Sequence, residues 1–275
     1  LTRNGLLAVL QSSNLDKLVA ADADFLYSCE PDGFSPLHVA CHNGEDGLVK
    51  KLLTLADRDG RQLQLLLHRT ASGQSALHVA ALGASRMPPS SRKLLLRYLR
   101  CCQMLVRRQG GELALLESDD AGDSVAHVLC QVDAGDGGEA LQVLTALLDE
   151  CLVAHGRTLT ANKAGDTVVH VAAAKGSKAV IEHLVGASKQ RPWRPDVDSK
   201  NAAGDTPLHV AAKFGRVDAM HALIVAGADL GAADAAGVTA EAAVRACMPA
   251  RLFEQARKEQ RKANRRSRRD SMVAR

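Results

Sequence analysis

The sequence predicts an all-α protein built from stacked helix–turn–helix repeats and followed by a basic C-terminal helix. The stretch from Ala203 to Asp229, AGDTPLHVAAKFGRVDAMHALIVAGAD, carries the signals for two short helices joined by a turn. Its core, a glycine followed five residues later by a histidine, occurs five times in the chain. Aromatic residues make up only 3% while Ala and Leu are abundant, which suits thin helical layers better than packed sheets.

Each part of this stretch favours a helical hairpin. Thr206 and Pro207 fit a helix start, because a hydroxyl accepts bonds from first-turn amides and proline lacks only an amide that would stay unbonded. Gly215 and Gly227 suit helix ends, because glycine tolerates the left-handed conformation that is common there. Between these two glycines, apolar residues at helical spacing predict a second amphipathic helix: Val217, Met220, Leu223 and Ile224.

The five copies of the core are GFSPLH (Gly33 to His38), GQSALH (Gly73 to His78), GDSVAH (Gly122 to His127), GDTVVH (Gly165 to His170) and GDTPLH (Gly204 to His209). The version GDTPLHVAA resembles the ankyrin repeat, a unit of about 33 residues with the signature TPLHxA. The resemblance covers about residues 5 to 248 and implies a solenoid of helical hairpins with β-turn fingers. It also implies that the imidazole of His209 bonds backbone groups between neighbouring repeats. We therefore expect the five motif histidines to be structural: His38, His78, His127, His170 and His209.

The repeats are longer than the family's unit and have degenerate ends. Successive motif histidines lie 40, 49, 43 and 39 residues apart, so we expect insertions between the motifs. Leu7 and Ala242 stand at the histidine position of the first and last copies, as expected of capping repeats. We assign residues 1–248 to the array, with degenerate caps at about 5–32 and 237–248, and residues 249–275 to a basic helical tail.

Two further positions fit the family's pattern. Seven residues before each motif glycine the family has an apolar residue in the strand of the finger, and three residues before it a polar turn residue. The first position is held by Leu26, Leu66, Leu115, Thr158, Val197 and Leu230, and the second by Glu30, Thr70, Asp119, Asn162, Asn201 and Asp234. Only Thr158 departs from the pattern, so finger strands are predicted at the first position.

Charge and cysteine content limit the compartments and partners that fit this protein. The whole chain carries +4, but the residues from Arg251 onward hold ten Lys or Arg and three Asp or Glu, which gives +7 there and −3 elsewhere. The seven cysteines, an odd number without a CxxC pair, favour a reducing compartment. We find no apolar run of about 18 residues and no secretory signal. We expect an intracellular, cytoplasmic protein, with a cytoskeletal or nuclear location left open, and, since it begins at Leu1, a piece of a longer chain.

The sequence favours no catalytic, metal or cofactor site. His38 and His42 share a helix face, but Val39 stands where an HExxH site has its glutamate, and no third ligand has an evident spacing. We find no phosphate-binding glycine loop and no GxSxG motif. The cysteines are expected to pack as small apolar side chains. We therefore expect neither an enzyme nor a cofactor nor a small-molecule substrate.

Protein binding is the use that remains. In the ankyrin family, partners commonly lie on the face made by finger tips and first helices. The helix ends of the last two full repeats place cations and one aromatic residue on that face: Lys175, Lys178, Lys213, Phe214 and Arg216. We predict a basic and aromatic surface for an acidic partner, with ordinary solvated lysines as the alternative.

Two other features leave a binding role open. Trp193, the only tryptophan, stands in QRPWRPD, where it either anchors an interface or packs on its own repeat. The long second helix from Arg92 to about Arg108 has arginines off its apolar stripe, and these form either a solvated face or a partner-binding ridge.

The tail contains RRSRRDS, with Arg265, Arg266, Arg268 and Arg269 flanking Ser267 and preceding Ser271. Basic clusters of this kind bind nucleic acid, anionic membrane, acidic filaments or import receptors, or remain solvated without a role. The two serines resemble substrates of basophilic kinases, and phosphate there would reduce the positive charge. No aromatic residue lies among these arginines, so base stacking is not indicated.

Two functions follow from these features. The first is a non-catalytic protein–protein interaction scaffold or adaptor, which could be a subunit of a larger assembly. The alternative is an electrostatic tether, whose basic tail binds nucleic acid, membrane or an acidic cytoskeletal polymer such as microtubules.

Overall fold

The computed structural model describes residues 3–11, 15, 17, 19, 22–88, 90–135, 138–155, 161–186 and 196–273. The chain divides into two compact units, Leu1–His155 and Gly156–Arg275, called unit 1 and unit 2 below. Within the described residues the regular structure is helical, with turns and isolated β-bridges but no strand. The predicted all-α fold is confirmed.

Unit 1 contains two packed layers of helices. Its described helices are α1 (Arg3–Gln11), a 3-10 helix (Ala23–Tyr27), α2 (Pro36–His42), α3 (Asp46–Arg58), α4 (Gln62–Leu67), α5 (Ala76–Ser85), α6 (Arg92–Val106), α7 (Gly111–Leu116), α8 (Val125–Leu129) and α9 (Glu139–His155). The motif helices α2, α5 and α8 pack on one another, and the second helices α3, α6 and α9 form the other layer. Leu37, Leu52, Leu99 and Leu148 are fully buried in this core.

A row of short helices replaces the finger strands in unit 1. Leu26 lies in the 3-10 helix, Leu66 in α4 and Leu115 in α7, and each is at most 2% exposed. α4 contacts both the 3-10 helix and α7. The prediction of strands is wrong here, because QLQLLL and, after its first glycine, GELALL consist of good helix formers without a β-branched residue. The leucines are buried, but from a helical backbone.

Unit 2 has the same two-layer arrangement. Its described helices are α10 (Val168–Lys175), α11 (Lys178–Val185), α12 (Pro207–Lys213), α13 (Val217–Ala226), α14 (Ala240–Cys247) and α15 (Ala250–Val273). The motif helices α10, α12 and α14 pack on one another, and α13 contacts both α11 and α15 in the second layer. Val197 and Leu230, at the predicted strand position, lie in turns.

Helix α15 is both the second helix of the last repeat and the basic tail. Phe253 and Ala256 are fully buried, and the Arg245 guanidinium lies 4.4 Å from the centroid of the Phe253 ring. The side chains from Arg261 to Arg265 are exposed. The segment predicted as a tail, residues 249–275, therefore begins inside the repeat array, as the apolar face of its first half indicated.

Side-chain caps shape the finger turns. Asn201 Oδ1 accepts the N–H groups of Ala203 and Asp205, both at 3.0 Å. The same pair of bonds is made by Asp119, Asn162 and Asp234. Backbone bonds join consecutive fingers, as where the Ala202 N–H donates to Ala164 O at 3.0 Å. Consecutive fingers are thus hydrogen-bonded to one another within each unit.

Tyr98 packs α6 against the motif helices of unit 1. Its side chain is nearly buried, and its hydroxyl donates to His42 O at 2.8 Å. The ring covers two glycines. A Cβ at Gly83 would lie 2.2 Å from ring atom Cε1, and one at Gly44 would lie 3.1 Å from the ring. Gly83, near the end of α5, therefore leaves the space that the Tyr98 ring occupies.

Replacing Gly83 with alanine should destabilise the protein by about 1–3 kcal/mol, because the added methyl overlaps the Tyr98 ring. Helix propensity alone predicts the opposite sign, since alanine is the better helix former by about 1 kcal/mol. Gly47 of α3 is the matched control, because a Cβ there meets nothing within 4 Å. Gly47→Ala should stabilise by about 0.5 kcal/mol. Urea unfolding of both variants measures the difference, and two changes of equal sign would contradict this packing.

Candidate protein-binding surface

Each motif histidine caps its own helix. Its imidazole Nδ1 lies 2.7–2.9 Å from the hydroxyl three residues earlier, on Ser35, Ser75, Ser124, Thr167 or Thr206. In three repeats the backbone N–H of that residue also donates to Nδ1, at 3.1–3.3 Å. Nδ1 is then an acceptor, so a neutral ring must carry its proton on Nε2.

The other ring nitrogen reaches the next finger. Nε2 of His38 lies 3.3 Å from Gln74 O, and Nε2 of His209 lies 3.0 Å from Val238 O. His78 and His170 make the equivalent contacts with Asp123 O and Asp205 O, at 3.1 and 3.0 Å. A single neutral imidazole thus satisfies a helix start and donates to the backbone of the following repeat.

Burial favours the neutral form of three of these rings, those of His38, His78 and His170. It lowers the pKa of His38 to about 4, and the neighbouring His68 adds to the effect. Burial also lowers the pKa values of His78 and His170. Both nitrogens of His38 are engaged in hydrogen bonds, so the His38 ring does not form a metal site with His42. In the part of the chain that the structure describes, no group of three or more His, Cys, Asp or Glu is arranged to hold a metal ion.

The predicted basic and aromatic surface lies at the ends of α10 and α12, which pack on each other. Lys175 ends α10, Lys213 ends α12, and Phe214 caps α12 with 60% of its side chain exposed. Arg216 extends from the following turn to α10, where its Nε donates to Ala174 O at 3.0 Å. We call the cluster of Lys175, Lys213, Phe214 and Arg216 the Phe214 surface.

Two of the predicted cations have acidic partners within the protein. The Lys213 ammonium lies 2.6 and 2.8 Å from the two carboxylate oxygens of Asp205, whose side chain is only 6% exposed. Lys178 lies 3.8 Å from Glu182 on its own helix, and such exposed pairs contribute little. Sequence reasoning missed the Asp205 pair, although the motif aspartate and a lysine eight residues later were its available signal.

The structure describes the other predicted site residues, Trp193 and those of the tail, to different extents. Trp193 lies outside the described residues. Arg265 is exposed on α15. The other tail residues fall within the range of α15, but their side chains lie outside the described part: Arg266, Ser267, Arg268, Arg269 and Ser271.

Several arginines of α6 bridge neighbouring second helices. Arg97 Nη2 lies 2.6 Å from Glu45 Oε2, beside the start of α3, and Arg100 Nη2 lies 3.4 Å from Glu139 Oε1 of α9. Arg108, just after α6, pairs with Asp57 of α3. Arg97 and Arg108 are therefore paired with carboxylates within unit 1, whereas the exposed Arg100 pair contributes little. The solvated face and the partner-binding ridge stay predictions.

Exposed leucines on α7 are a feature to which sequence reasoning gave no role. Leu113 and Leu116 are 50% and 47% exposed, and Val153 of α9 is 55% exposed. The available signal was that GELALL holds more leucines than one buried face of a six-residue helix needs.

The cysteines differ in burial and in their neighbours. Cys29 Sγ lies 3.1 Å from His68 Nε2, and burial raises the pKa of its thiol. All seven are free thiols, and five of them are buried: Cys41, Cys101, Cys102, Cys130 and Cys151. Burial raises the pKa of Cys101 to about 12 and raises the pKa values of the other four. Separately, no helix among the described residues is long and apolar enough to cross a membrane.

Acid should destabilise the fold through the motif histidines. The unfolded chain binds a proton at His38 below pH ~6.5, whereas the folded chain does so only near pH 4. Between these values the unfolded state holds more protons, so stability falls as the pH falls, by about 3 kcal/mol from His38 alone. Urea midpoints at several pH values between 7 and 4 measure this loss.

His38→Gln is the matched variant, because its amide can still donate to Gln74 O but cannot titrate in this range. Its stability should change less between pH 6.5 and 4 than that of the intact chain, even if it is lower at pH 7. An unchanged pH dependence would exclude His38 as the main acid-sensitive group.

Comparison with known proteins agrees with this geometry. A family model described as "Ankyrin repeats (3 copies)" matches residues 97–234, which is 138 of the 275 residues, and one described as "Ankyrin repeat" matches residues 32–61. No curated protein is similar enough to match the chain.

Two solved structures resemble the chain in fold. The ankyrin repeat domain of Bcl-3, described as a unique member of the IkappaB protein family, has a TM-score of 0.58 and 22% identity, covering 83% of this chain and 87% of that one. An ankyrin repeat domain from Acinetobacter baumannii AYE has a TM-score of 0.53 and 23% identity, covering 83% and 97%. At these identities the likeness concerns the fold alone. The repeated motif, the helical layers and the family models together show that the chain belongs to the ankyrin repeat family.

Proposed function

We propose that this chain is a non-catalytic protein-binding scaffold and that unit 2 binds its partner through the Phe214 surface. Ankyrin repeats generally mediate protein–protein interaction. The observation that carries the proposal is the exposure of Phe214, which at 60% is the most exposed large apolar side chain of the described residues. Aromatic residues, Phe included, are enriched in protein–protein interfaces.

The backbone holds Phe214 in place before any partner arrives. Its N–H bonds to Val210 O at 3.1 Å, which makes it the C-cap of α12. The helix itself is fixed by the imidazole of His209 and by packing on α10 and α14. A side chain on such a rigid support loses little freedom on binding, which favours affinity.

The surrounding charges favour an acidic partner segment. Lys175 is exposed at the end of α10, and the Arg216 guanidinium is positioned next to it by the bond to Ala174 O. Lys213 contributes less, because Asp205 offsets its charge. We therefore expect Lys175 and Arg216 to attract carboxylates that flank an apolar anchor packed on Phe214.

The alternative function is an electrostatic tether, and the length of α15 is the observation that favours it. The helix has 24 residues and so is about 36 Å long, yet Phe253 and Ala256, its fully buried side chains among those described, lie in its first two turns. Arg261, Lys262 and Arg265 are exposed farther along. In this alternative the basic end binds nucleic acid, membrane or an acidic cytoskeletal polymer, and phosphate on Ser267 or Ser271 weakens that binding.

Proximity labelling in cells separates the two functions. The variants are Lys175→Glu with Phe214→Ser, and a tail variant with glutamine at positions 265, 266, 268 and 269. The scaffold proposal expects the first variant to lose the main labelled partners and the second to keep them. Substitution is better than ending the chain at Ala250, because that truncation would remove the buried Phe253 and Ala256.

Two matched controls make the comparison specific. Val238→Ser removes another exposed apolar side chain of unit 2, and Lys50→Glu reverses an exposed charge of unit 1. Both controls should retain the partners. Loss of the partner set in the tail variant alone, together with a steep fall of binding with added salt, would contradict the scaffold and support the tether.

A further inference from the structure

Unit 1 contains an open groove between α6, α7 and α9, with a volume of about 690 Å³. Its apolar lining is Val106, Leu115, Leu116, Val153 and Ala154, and its polar lining is Arg107, Glu112, Asp149 and Glu150. We call it the α7 groove. Its described lining comes from α6, α7 and α9 and the turn after α6, and includes no residue of a motif helix of unit 1.

A turn with two glycines, between α6 and α7, builds this groove. The chain leaves α6 at Arg107 and turns into α7 at Gly110 and Gly111. Gly110 has φ +84°, and a Cβ at Gly111 would lie 2.3 Å from Val106 O. Two adjacent glycines thus allow α7 to fold back against the end of α6, where it also contacts α9. The groove therefore depends on the short helix that stands at the family's finger-strand position, where Leu115 lies.

Helix α7 exposes apolar side chains in addition to those that pack inward. Ala114 and Leu115 face inward and are 2% exposed. Leu113 and Leu116 of α7 and Val153 of α9 are each about half exposed, and Leu63 of α4 is 46% exposed. Of these four side chains, Leu116 and Val153 line the groove itself. Exposed apolar surface rimmed by charged residues is typical of a binding site.

The charges at the groove define the chemistry of its occupant. Three carboxylates, of Glu112, Asp149 and Glu150, and one guanidinium, of Arg107, line it. The described part of unit 1 offers no strand whose edge an extended peptide could join. A groove between helices with an apolar floor instead fits an amphipathic helix, which inserts side chains at i, i+3, i+4 and i+7.

We propose that the α7 groove binds a basic amphipathic helix of a partner protein, with leucine-like side chains on the groove floor and Lys or Arg beside the carboxylates. This is a second interaction surface, on unit 1, and it selects a basic partner where the Phe214 surface selects an acidic one. The scaffold would then hold two partners of opposite charge through different units.

A synthetic peptide tests the proposal. The probe is a peptide of about 18 residues, ~27 Å as a helix, with leucines at i, i+3, i+4 and i+7 spacing and lysines elsewhere. Fluorescence anisotropy should show binding to the intact chain in the micromolar range. Leu116→Ser with Val153→Ser should weaken it by about tenfold or more, because it removes the exposed floor. Glu112→Gln with Glu150→Gln should weaken it and reduce its salt dependence.

Three controls decide the interpretation. A peptide of the same composition in scrambled order should bind at least about tenfold more weakly, as should the ordered peptide with glutamate in place of lysine. Lys175→Glu with Phe214→Ser should bind the probe like the intact chain, so failure of the scaffold proposal and failure of this one are distinguishable. Val153→Lys, at the most exposed floor position, repeats the test if the serine variant is unstable.

The groove assignment would be overturned by any of three results. These are no binding of the ordered peptide, equal binding of the scrambled peptide, or equal affinity of the folded floor variants and the intact chain. Hydrogen exchange with the probe bound should show added protection in α7 and α9, and protection elsewhere alone would also overturn it.

Discussion

The motif imidazole is the contact on which the rest of each unit depends. One ring accepts from the start of its own helix and donates to a carbonyl of the next finger, so it fixes both the helix and the spacing between repeats. Each such hydrogen bond contributes only about 1 kcal/mol net. Repetition makes the contribution large, because repeat proteins gain stability from the sum of nearest-neighbour contacts. The ring can do this only while neutral, a form that burial favours at His38, His78 and His170.

The fold could be predicted because its signals are local and repeated. Three features within six residues specify the repeat. They are a glycine in the finger, a hydroxyl residue or proline at the helix start, and a histidine five residues after the glycine that contacts the next repeat. The helical row at Leu26, Leu66 and Leu115 could not be predicted from the family's pattern, because local helix propensity overrode it. In α15 the apolar face of the first half was visible in the sequence, and Phe253 and Ala256 are buried accordingly.

The candidate sites were predictable to different degrees. Phe214 follows the motif histidine by five residues, so its place at a helix end follows from the motif alone. The pairing of Lys213 with Asp205 and the bond from Arg216 to Ala174 depend on how two helices meet, which spacing within one repeat does not encode. The α7 groove depends on a short helix that stands where the family's pattern predicts a finger strand.

The most direct test of the central contact is the tautomer and titration of the motif histidines, measured by long-range ¹H–¹⁵N NMR on the intact chain. The structure predicts that the rings of His38, His78 and His170 are neutral at pH 7, with the proton on Nε2 and Nδ1 unprotonated. His38 should keep that form as the pH is lowered, until it approaches its pKa of about 4 or the protein unfolds. A proton on Nδ1 at pH 7, or titration of His38 near pH 6.5 in the folded protein, would contradict the account.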